Sequence, residues 1–362
     1  MVIRNHSPIR ILVIDDSPTI RELFTALFQE AGDIVVVGTG ATGEDAVRLT
    51  KLLKPDLVSM DIRMPLMNGL EATRRIMSEC PVPIVLISTE AEKTHLNYAF
   101  QALQAGALTV IGKPSLSDPA SADKVIQTIR AMARVPVIRH WNRKEPEKMD
   151  WGLAGGSPKG WGDLPDKNPI AQRLREASVL GVASSTGGPG ALASLFQKLP
   201  SGFPLPVLVV QHISFGFTAG LVDWLGTQTK LSVEIAAQGG RLKPGTVLFA
   251  PDDFHFQIGE SRQVELTKAP RFKGLRPSAN YLFESLARQF GSRAAGMVLT
   301  GMGDDGAQGL KLLHQAGGLT FAQDEASSVV FGMPREAVLQ EAVDHVMSLD
   351  QLSSLLEKIQ QL

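Results

Sequence analysis

The chain has 362 residues, of which 44% are apolar and 20% charged, and its net charge is −1. This composition fits a globular protein of about two domains, and the charge balance gives no support for binding to nucleic acid or to an anionic membrane surface. The single cysteine, Cys80, excludes an intrachain disulfide and fits a reducing compartment. The N-terminus lacks the apolar stretch of a secretory signal, and three prolines interrupt the uncharged stretch 199–222. We therefore expect a cytoplasmic protein that does not insert into a membrane.

The first third of the chain alternates between short apolar runs and amphipathic runs. Strands are predicted over 9–14, 34–37, 56–60, 83–87 and 107–111, and helices over 18–30, 43–53, 69–77 and 122–133 and in a run that ends at Leu103. This alternation predicts a doubly wound, parallel α/β sheet. Functional sites in such sheets lie outside the carboxyl ends of the strands.

The periodicity stops between about 135 and 169. This stretch is rich in glycine, proline and charged residues, which predicts a linker. It also contains Trp141, Trp151 and Trp161, three of the four tryptophans in the chain. Because flexible linkers seldom carry tryptophan, we expect part of this stretch to dock on a domain surface.

The last part of the chain predicts a second α/β unit. Strands are predicted over 179–183, 207–210, 294–299 and 319–322, with short β-like runs between 232 and 266, and helices over 191–199, 217–229, 279–290 and 307–316 and from 334 and 349. His314 and His345 fall in helix-like runs, where a surface or core role is the natural interpretation.

An acidic cluster is predicted at one edge of the first sheet. Asp15 and Asp16 follow the first strand, Asp61 the third and Lys113 the fifth. Three converging carboxylates repel one another unless a cation joins them, and Mg²⁺ prefers such oxygen ligands. A carboxylate beside Mg²⁺ and a lysine can attack a phosphoryl donor, and Ser88, at the end of the fourth strand, can hydrogen-bond a phosphoryl oxygen. The alternative is a set of solvated carboxylates at loop starts.

Residues 8–133 resemble the receiver domain of two-component response regulators, in the runs Ile14-Asp15-Asp16, Met60-Asp61-Ile62-Arg63-Met64-Pro65, Asn68-Gly69, Ser88 and Lys113-Pro114. The resemblance implies that a histidine kinase is the phosphodonor and that Asp61 is the phosphoacceptor. It implies Mg²⁺ ligands at Asp15, Asp16, Asp61 and the carbonyl of Arg63, and phosphoryl contacts from Ser88 and Lys113. Val110 stands where receivers often carry an aromatic switch residue, so an aromatic switch is not expected.

The run Val182-Ala183-Ser184-Ser185-Thr186-Gly187-Gly188-Pro189-Gly190 joins a predicted strand to a predicted helix. A serine at such a turn can act as a nucleophile, because the unpaired amides that open the helix can stabilise an oxyanion. The alternative is a phosphate-binding loop or a helix cap.

An activated serine needs a base and an acid that orients the base. His212 follows a strand, as the serines do, and Asp304 and Asp305 follow another, so these side chains are expected at one sheet edge. The order Ser, His, acid differs from that of the α/β-hydrolases. The residues alone leave open Ser184 or Ser185, and Asp304 or Asp305.

Residues 177–362 resemble the catalytic domain of the CheB family of chemotaxis protein-glutamate methylesterases/glutaminases. The matching runs are Ser184-Ser185-Thr186-Gly187-Gly188, Gln211-His212, Ala250-Pro251 with His255, Arg276-Pro277-Ser278, Leu299 to Gly306, Ala322 to Glu325 and Val330 to Arg335. The resemblance implies Ser185 as nucleophile, His212 as base and Asp305 as orienting acid, and no cofactor for ester hydrolysis. Asn280 stands where the family commonly has aspartate.

Four further residues have candidate roles around this site. Amides near Thr186 and Met302 would bind the oxyanion. Arg276 would contact substrate, with an exposed arginine beside the site as the alternative, and His255 would line the cleft, with a structural role as the alternative.

Together the two resemblances imply a receiver domain (8–133), a linker (134–176) and a methylesterase domain (177–362). The expected function is phosphorylation-regulated hydrolysis of glutamyl 5-O-methyl esters, and deamidation of glutamines, on methylated chemoreceptors, with release of methanol or ammonia. An unphosphorylated receiver would cover the esterase cleft. One rival is a phosphorylation-switched binding protein that lacks hydrolysis, and another is a serine hydrolase of a different ester. A DNA-binding regulator is disfavoured because no basic recognition helix is present.

Overall fold

The first unit is built on a parallel sheet. The computed structural model describes residues 7–88, 100–103, 105–114, 119–135 and 169–359. Five strands form the first sheet: β1 (Ile9–Ile14), β2 (Ile34–Gly40), β3 (Leu57–Asp61), β4 (Ile84–Ser88) and β5 (Thr109–Gly112). They lie in the order β2-β1-β3-β4-β5, and every pair is parallel. The chain order reverses between β1 and β3, which places a crevice at their carboxyl ends.

Helices cover this sheet as the sequence predicts: α1 (Pro18–Glu30), α2 (Gly43–Leu53), α3 (Gly69–Glu79) and α4 (Pro119–Met132). The predicted bounds of α1 and α2 are confirmed. Side-chain oxygens of Thr42 and Asn68 accept hydrogen bonds from first-turn amides of α2 and α3 and so fix where these helices begin. Most of the predicted run that ends at Leu103 lies outside the described residues.

The second unit contains a seven-stranded parallel sheet with strands β6 (Val179–Ser184), β7 (Val207–Gln211), β8 (Ser232–Ile235), β9 (Thr246–Phe249), β12 (Ala294–Val298), β13 (Leu319–Gln323) and β14 (His345–Met347). Their order is β14-β13-β12-β6-β7-β9-β8. β10 (His255–Ile258) and β11 (Val264–Thr267) form a separate antiparallel hairpin. β6, β7 and β12 are fully buried, as expected for central strands covered on both faces.

The helices of this unit are α5 (Pro169–Glu176), α6 (Gly188–Phe196), α7 (Thr218–Gln228), α8 (Ala279–Phe290), α9 (Ala307–Gln315), α10 (Met333–Leu339) and α11 (Leu349–Lys358). The α/β architecture predicted for both units is therefore confirmed. Among the described helices, none combines the length and the apolar character needed to cross a bilayer.

The structure differs from the sequence-based expectation at two elements. The helix-like interpretation of His345 is wrong, because this residue lies on β14 and pairs with Phe321 of β13. The predicted linker over 134–176 did not anticipate α5. This helix buries Ala171 and Leu174 in the hydrophobic core, and Arg173 donates a hydrogen bond to the Gly317 carbonyl at 3.2 Å.

Both elements are too short for periodicity to identify, since β14 has three residues and α5 has eight, which is about two helical turns. Trp141, Trp151 and Trp161, which we expect to dock, lie outside the described residues.

The two units contact each other through buried side chains. Phe100 of the first unit stacks on Trp224 of the second, with ring centroids 5.4 Å apart. The Gly112 amide donates a hydrogen bond to the Ser214 Oγ at 3.3 Å. Val329 and Val330 pack against a hydrophobic cluster made of residues from the first unit. This interface reaches loops that follow β7 and β13.

We predict that Leu174→Ala lowers the free energy of unfolding of the second unit by about 2–5 kcal/mol, because Leu174 is fully buried and its loss leaves a cavity. Chemical denaturation measures this change. Gln172→Ala, on the exposed face of the same helix, is the matched control and should change stability by less than about 0.5 kcal/mol. Equal effects of the two substitutions would show that α5 is not anchored as described.

Candidate functional site

Three carboxylates converge at the carboxyl ends of β1 and β3. Asp15, Asp16 and Asp61 each present an oxygen, and these oxygens all lie within 4.8 Å of one another. Asp15 and Asp61 are buried, and Asp16 is exposed. The predicted acidic cluster is therefore assembled.

Lys113 neutralises part of this cluster. Its Nζ lies 2.7 Å from Asp15 Oδ2 and 3.0 Å from Asp61 Oδ2. Burial raises the pKa of Asp61 above its usual value, although Lys113 opposes this change. Burial alone would lower the pKa of Lys113, but the bonds to Asp15 and Asp61 outweigh it and raise that pKa. The three carboxylates fit a hard divalent cation such as Mg²⁺, which would reduce the repulsion among their negative charges.

The other predicted receiver residues surround Asp61. The Ile62 and Arg63 amides lie 2.7 Å and 3.5 Å from Asp61 Oδ1. Ser88 is buried at the end of β4, and its carbonyl accepts a hydrogen bond from the Lys113 amide at 3.0 Å. Val110 is buried in the core. The amides beside Asp61 and the hydroxyl on the neighbouring strand suit an anionic group on Asp61.

The two serines at the end of β6 have different environments. Ser184 is fully buried and donates a hydrogen bond to Gln211 Oε1 at 2.6 Å, whereas Ser185 is partly exposed. A Cβ at Gly188 would lie 2.0 Å from the same Gln211 oxygen, so only glycine permits this contact. Ser184 thus has a structural partner, and Ser185 is the serine that a substrate can reach.

Gln211 connects the serine turn to the loop that follows β7. Its Nε2 donates to the Ser185 carbonyl at 2.7 Å and to the His212 carbonyl at 2.9 Å. The His212 amide in turn donates to the Ser184 carbonyl at 2.9 Å. In the sequence, Gln211 stands out only as part of the Gln211-His212 motif. Its position directly before His212 is the available signal for its role.

Asp305 is the acid beside His212. Its Oδ2 lies 2.9 Å from His212 Nε2, and it accepts hydrogen bonds from Ser278 Oγ (2.5 Å), the Ala279 amide (2.6 Å) and Asn280 Nδ2 (2.8 Å). Although the distance is short, the His212 Nε2–H does not point at the carboxylate oxygen. Burial alone would raise the pKa of Asp305, but the nearby His212 ring and the hydrogen bonds from Ser278 and Ala279 lower it below the usual value. Asp304, by contrast, is only partly buried and is paired with Lys273.

The amides predicted to bind an oxyanion are available. Within the described residues, neither the Thr186 amide nor the Met302 amide donates a hydrogen bond. Thr300 joins the serine turn to the loop that follows β13. Its Oγ1 donates to the Thr186 carbonyl at 2.9 Å and accepts from the Val330 amide at 2.9 Å. In the same described part, no hydrogen bond joins Ser185 Oγ to His212. Such bonds often tighten only when substrate binds.

Arg276 has local partners for its guanidinium. It makes three hydrogen bonds to Asp253 and two to the carbonyls of Lys268 and Ala269. Because this network uses its donors and leaves the side chain 16% exposed, Arg276 holds the 268–276 loop in place, and its contact with substrate stays a prediction.

His255 is fully buried and does not line an open cleft. Its Nδ1 accepts from the Ser278 amide at 3.2 Å, its Nε2 lies 3.1 Å from the Pro270 carbonyl, and its ring stacks on Tyr281. Burial lowers the pKa of His255. These contacts support the structural alternative for this residue.

Two family models match separate parts of this chain, and several known proteins are similar to it. A family model for CheB methylesterase matches residues 180–356, and one for the response regulator receiver domain matches residues 11–126. The protein-glutamate methylesterase/protein-glutamine glutaminase 4 of Myxococcus xanthus is 42% identical over 97% of this chain and 97% of its own length. The corresponding protein 1 of Syntrophus aciditrophicus is 38% identical over 97% and 98%. The crystal structure of the Thermotoga maritima CheB methylesterase catalytic domain, 34% identical, covers 50% of this chain and 98% of its own, with a TM-score of 0.49.

We predict that His255 makes the protein less stable as pH falls below about 6.5, the usual imidazole pKa. Because the folded-state pKa is depressed, the unfolded chain binds more protons between the two pKa values, so the free energy of unfolding decreases with falling pH there. In His255→Gln this contribution is absent, and the decrease below about pH 6.5 becomes shallower. Urea unfolding at several pH values measures it. An unchanged slope in the variant would contradict the assignment.

Proposed function

The chain belongs to the CheB methylesterase family, the protein-glutamate methylesterase/protein-glutamine glutaminases that carry a receiver domain, and we propose that it hydrolyses glutamyl methyl esters and deamidates glutamines on chemoreceptors under the control of Asp61 phosphorylation. The observation that carries this proposal is the contact of His212 with buried Asp305 at the sheet edge where Ser185 is accessible. Phosphorylation of Asp61, in the acidic crevice of the receiver, would control this hydrolysis.

In the proposed mechanism His212 takes the Ser185 proton while Ser185 Oγ attacks the ester carbonyl. His212 faces Asp305 through Nε2, which leaves Nδ1 to receive that proton. Asp305 orients the ring and stabilises its charged form. The tetrahedral oxyanion accepts hydrogen bonds from the Thr186 and Met302 amides, each worth about 2.7–4 kcal/mol.

Collapse of the intermediate breaks the bond to methoxide, which leaves as methanol after His212 returns the proton. Water, deprotonated by His212, then hydrolyses the acyl-serine and gives glutamate. With a glutamine side chain the same steps release ammonia instead. None of these steps requires a cofactor.

At the receiver, a histidine kinase of the chemosensory type would supply the phosphoryl group, and Asp61 would accept it. Asp15, Asp16, Asp61 and the carbonyl of Arg63 would hold Mg²⁺, which supplies charge neutralisation for phosphoryl transfer when bound. Lys113 and Ser88 would contact the phosphoryl oxygens. Lys113 must then give up its contacts with the Asp15 and Asp61 carboxylates and contact the phosphoryl group instead.

The interface between the units supports inhibition by the unphosphorylated receiver. Ser214, which bonds to Gly112, lies two residues after His212, and Gly112 precedes Lys113. Val329, which packs on the receiver, also adjoins the serine turn: a Cβ at Gly187 would lie 2.6 Å from the Val329 Cβ. The receiver therefore touches the loop that carries His212 and a second loop that packs against the serine turn, and Asp61 phosphorylation would weaken these contacts.

We predict that Ser185→Ala lowers methanol release from methylated chemoreceptors by roughly 10⁶-fold, because it removes the nucleophile. Phosphorylation of Asp61 should be unchanged in this variant. Ser184→Ala is the comparison variant: it keeps the nucleophile and removes only the bond to Gln211, so it should lose far less activity than Ser185→Ala. Turnover near the wild-type rate in Ser185→Ala would refute the assignment, and absence of turnover in the wild type would favour the binding-protein alternative.

We further predict that a fragment starting at Pro169, which keeps α5, is more active than the unphosphorylated whole chain. Removing the receiver frees the loops around His212 and Gly187. A small phosphodonor should activate the whole chain but neither the fragment nor the Asp61→Asn chain. Equal rates for the fragment and the unphosphorylated chain would exclude inhibition by the receiver.

A further inference from the structure

Phe215 is a large apolar side chain that stays 64% exposed in the presence of both units. It lies in the loop that follows β7, three residues after His212. Three residues of chain span at most about 11 Å, so the Phe215 Cα lies within that distance of the His212 Cα. An exposed aromatic ring therefore stands beside the esterase site.

A β-turn carries this side chain at its tip. The Phe217 amide donates a hydrogen bond to the Ser214 carbonyl at 3.1 Å, which makes Phe215 and Gly216 the two central residues. Gly216 has a φ of 85°, as the second central position of a type II turn requires, and the first central position of such turns commonly holds proline. The geometry of the turn therefore does not explain an aromatic residue at position 215.

Neighbouring contacts hold the turn in place. Asp252 accepts hydrogen bonds from the Gly216 amide at 3.0 Å and from Thr218 Oγ1 at 2.6 Å. Phe217 is fully buried in the hydrophobic core. The ring of Phe215 is therefore presented to solvent from a backbone whose next residues are fixed.

The receiver does not bury this ring. Ser214, the preceding residue, accepts a hydrogen bond from the Gly112 amide of the receiver at 3.3 Å, yet most of the Phe215 surface remains exposed. The partner of the ring is therefore something other than the described part of the receiver.

The surroundings of the ring favour an apolar partner that belongs to the substrate. The run 212–218 contains no aspartate, glutamate, lysine or arginine. On the other side of β6, in the loop that follows β12, Met302 presents a second apolar side chain, which is 40% exposed. A glutamyl ester that reaches Ser185 from a protein brings its neighbouring residues across these two loops.

We propose that Phe215 is a substrate-binding residue of the esterase: its ring packs against an apolar side chain of the chemoreceptor segment that carries the glutamyl ester. This inference rests on the proposed function, since the contact forms while the ester occupies the site of Ser185. It makes the enzyme favour protein segments in which an apolar residue lies near the modified glutamate over small esters of glutamate.

Phe215→Ala tests this contact in the whole chain, activated by a small phosphodonor. We compare kcat/KM for methylated chemoreceptors with kcat/KM for a small ester, N-acetyl-glutamic acid γ-methyl ester α-amide, both from methanol release. The ratio of the first to the second should fall by roughly tenfold, the factor expected when the burial of an aromatic ring is lost. The fall should appear in KM, because the contact is the same in bound substrate and in the transition state. A structural disturbance of the His212 loop would instead lower kcat for both substrates equally.

Leu339→Ala is the matched control. Leu339 is 62% exposed and ends α10, which leads back to the start of β14 and away from the esterase edge of the sheet. This variant should keep the wild-type ratio. Phe215→Leu retains an apolar side chain and should recover most of the ratio.

A binding measurement gives a readout that does not depend on hydrolysis. In chains that carry Ser185→Ala, the addition of Phe215→Ala should raise the Kd for methylated chemoreceptors by roughly tenfold.

An unchanged ratio and Kd in Phe215→Ala, or the same changes in Leu339→Ala, would overturn the role of Phe215. A wild-type dimer that Phe215→Ala dissociates would also overturn it, since the partner of the ring would then be a second copy of the chain. A wild type that releases no methanol from methylated chemoreceptors would instead overturn the proposed function.

Discussion

The buried Asp305 carboxylate is the group around which the second unit's site is arranged. Taking a carboxylate out of water costs several kcal/mol unless hydrogen bonds replace the lost solvation. Here the N-terminal turn of α8 supplies them through Ser278, Ala279 and Asn280, and the positive end of the helix dipole adds to their effect. With the acid held in this way, His212 has a fixed partner at the adjacent sheet edge.

A second set of contacts fixes the opposite side of the site. Gln211 and Thr300 are buried side chains that hydrogen-bond to the backbone of the loops carrying Ser185 and His212. The His212 loop also contacts the first unit through Ser214, and the serine turn adjoins Val329, which packs on the first unit. These contacts place the surroundings of Ser185 and His212 next to the first unit, so under the proposed function a charge change at Asp61 would act on the serine without a direct contact.

The sequence predicted the helices, the strands and the reactive groups better than it predicted the residues that hold those groups in place. Alternating apolar runs identified every strand of the first sheet, because parallel strands buried on both faces are strongly apolar. The strand ends predict a serine, His212 and an aspartate at one sheet edge, and the resemblance to the CheB family is what selects Ser185 and Asp305. The roles of Gln211, Asn280 and Thr300 depend on contacts between residues 23 or more positions apart, which no local pattern encodes. Burial separates Ser184 from Ser185 and His255 from an open cleft, and burial is a property of the packed fold.

Helix α5 has a consequence for the communication between the units. Helix α5 packs into the hydrophobic core of the second unit, so the described part of that unit begins at Pro169. Only residues 136–168 separate it from the described part of the first unit. Because both units belong to one chain, docking of the receiver is an intramolecular event. The interface can then be weak in absolute affinity and still be occupied, and the balance between docked and released receiver becomes independent of how much protein is present. A small local change in free energy at the receiver is enough to shift such a balance.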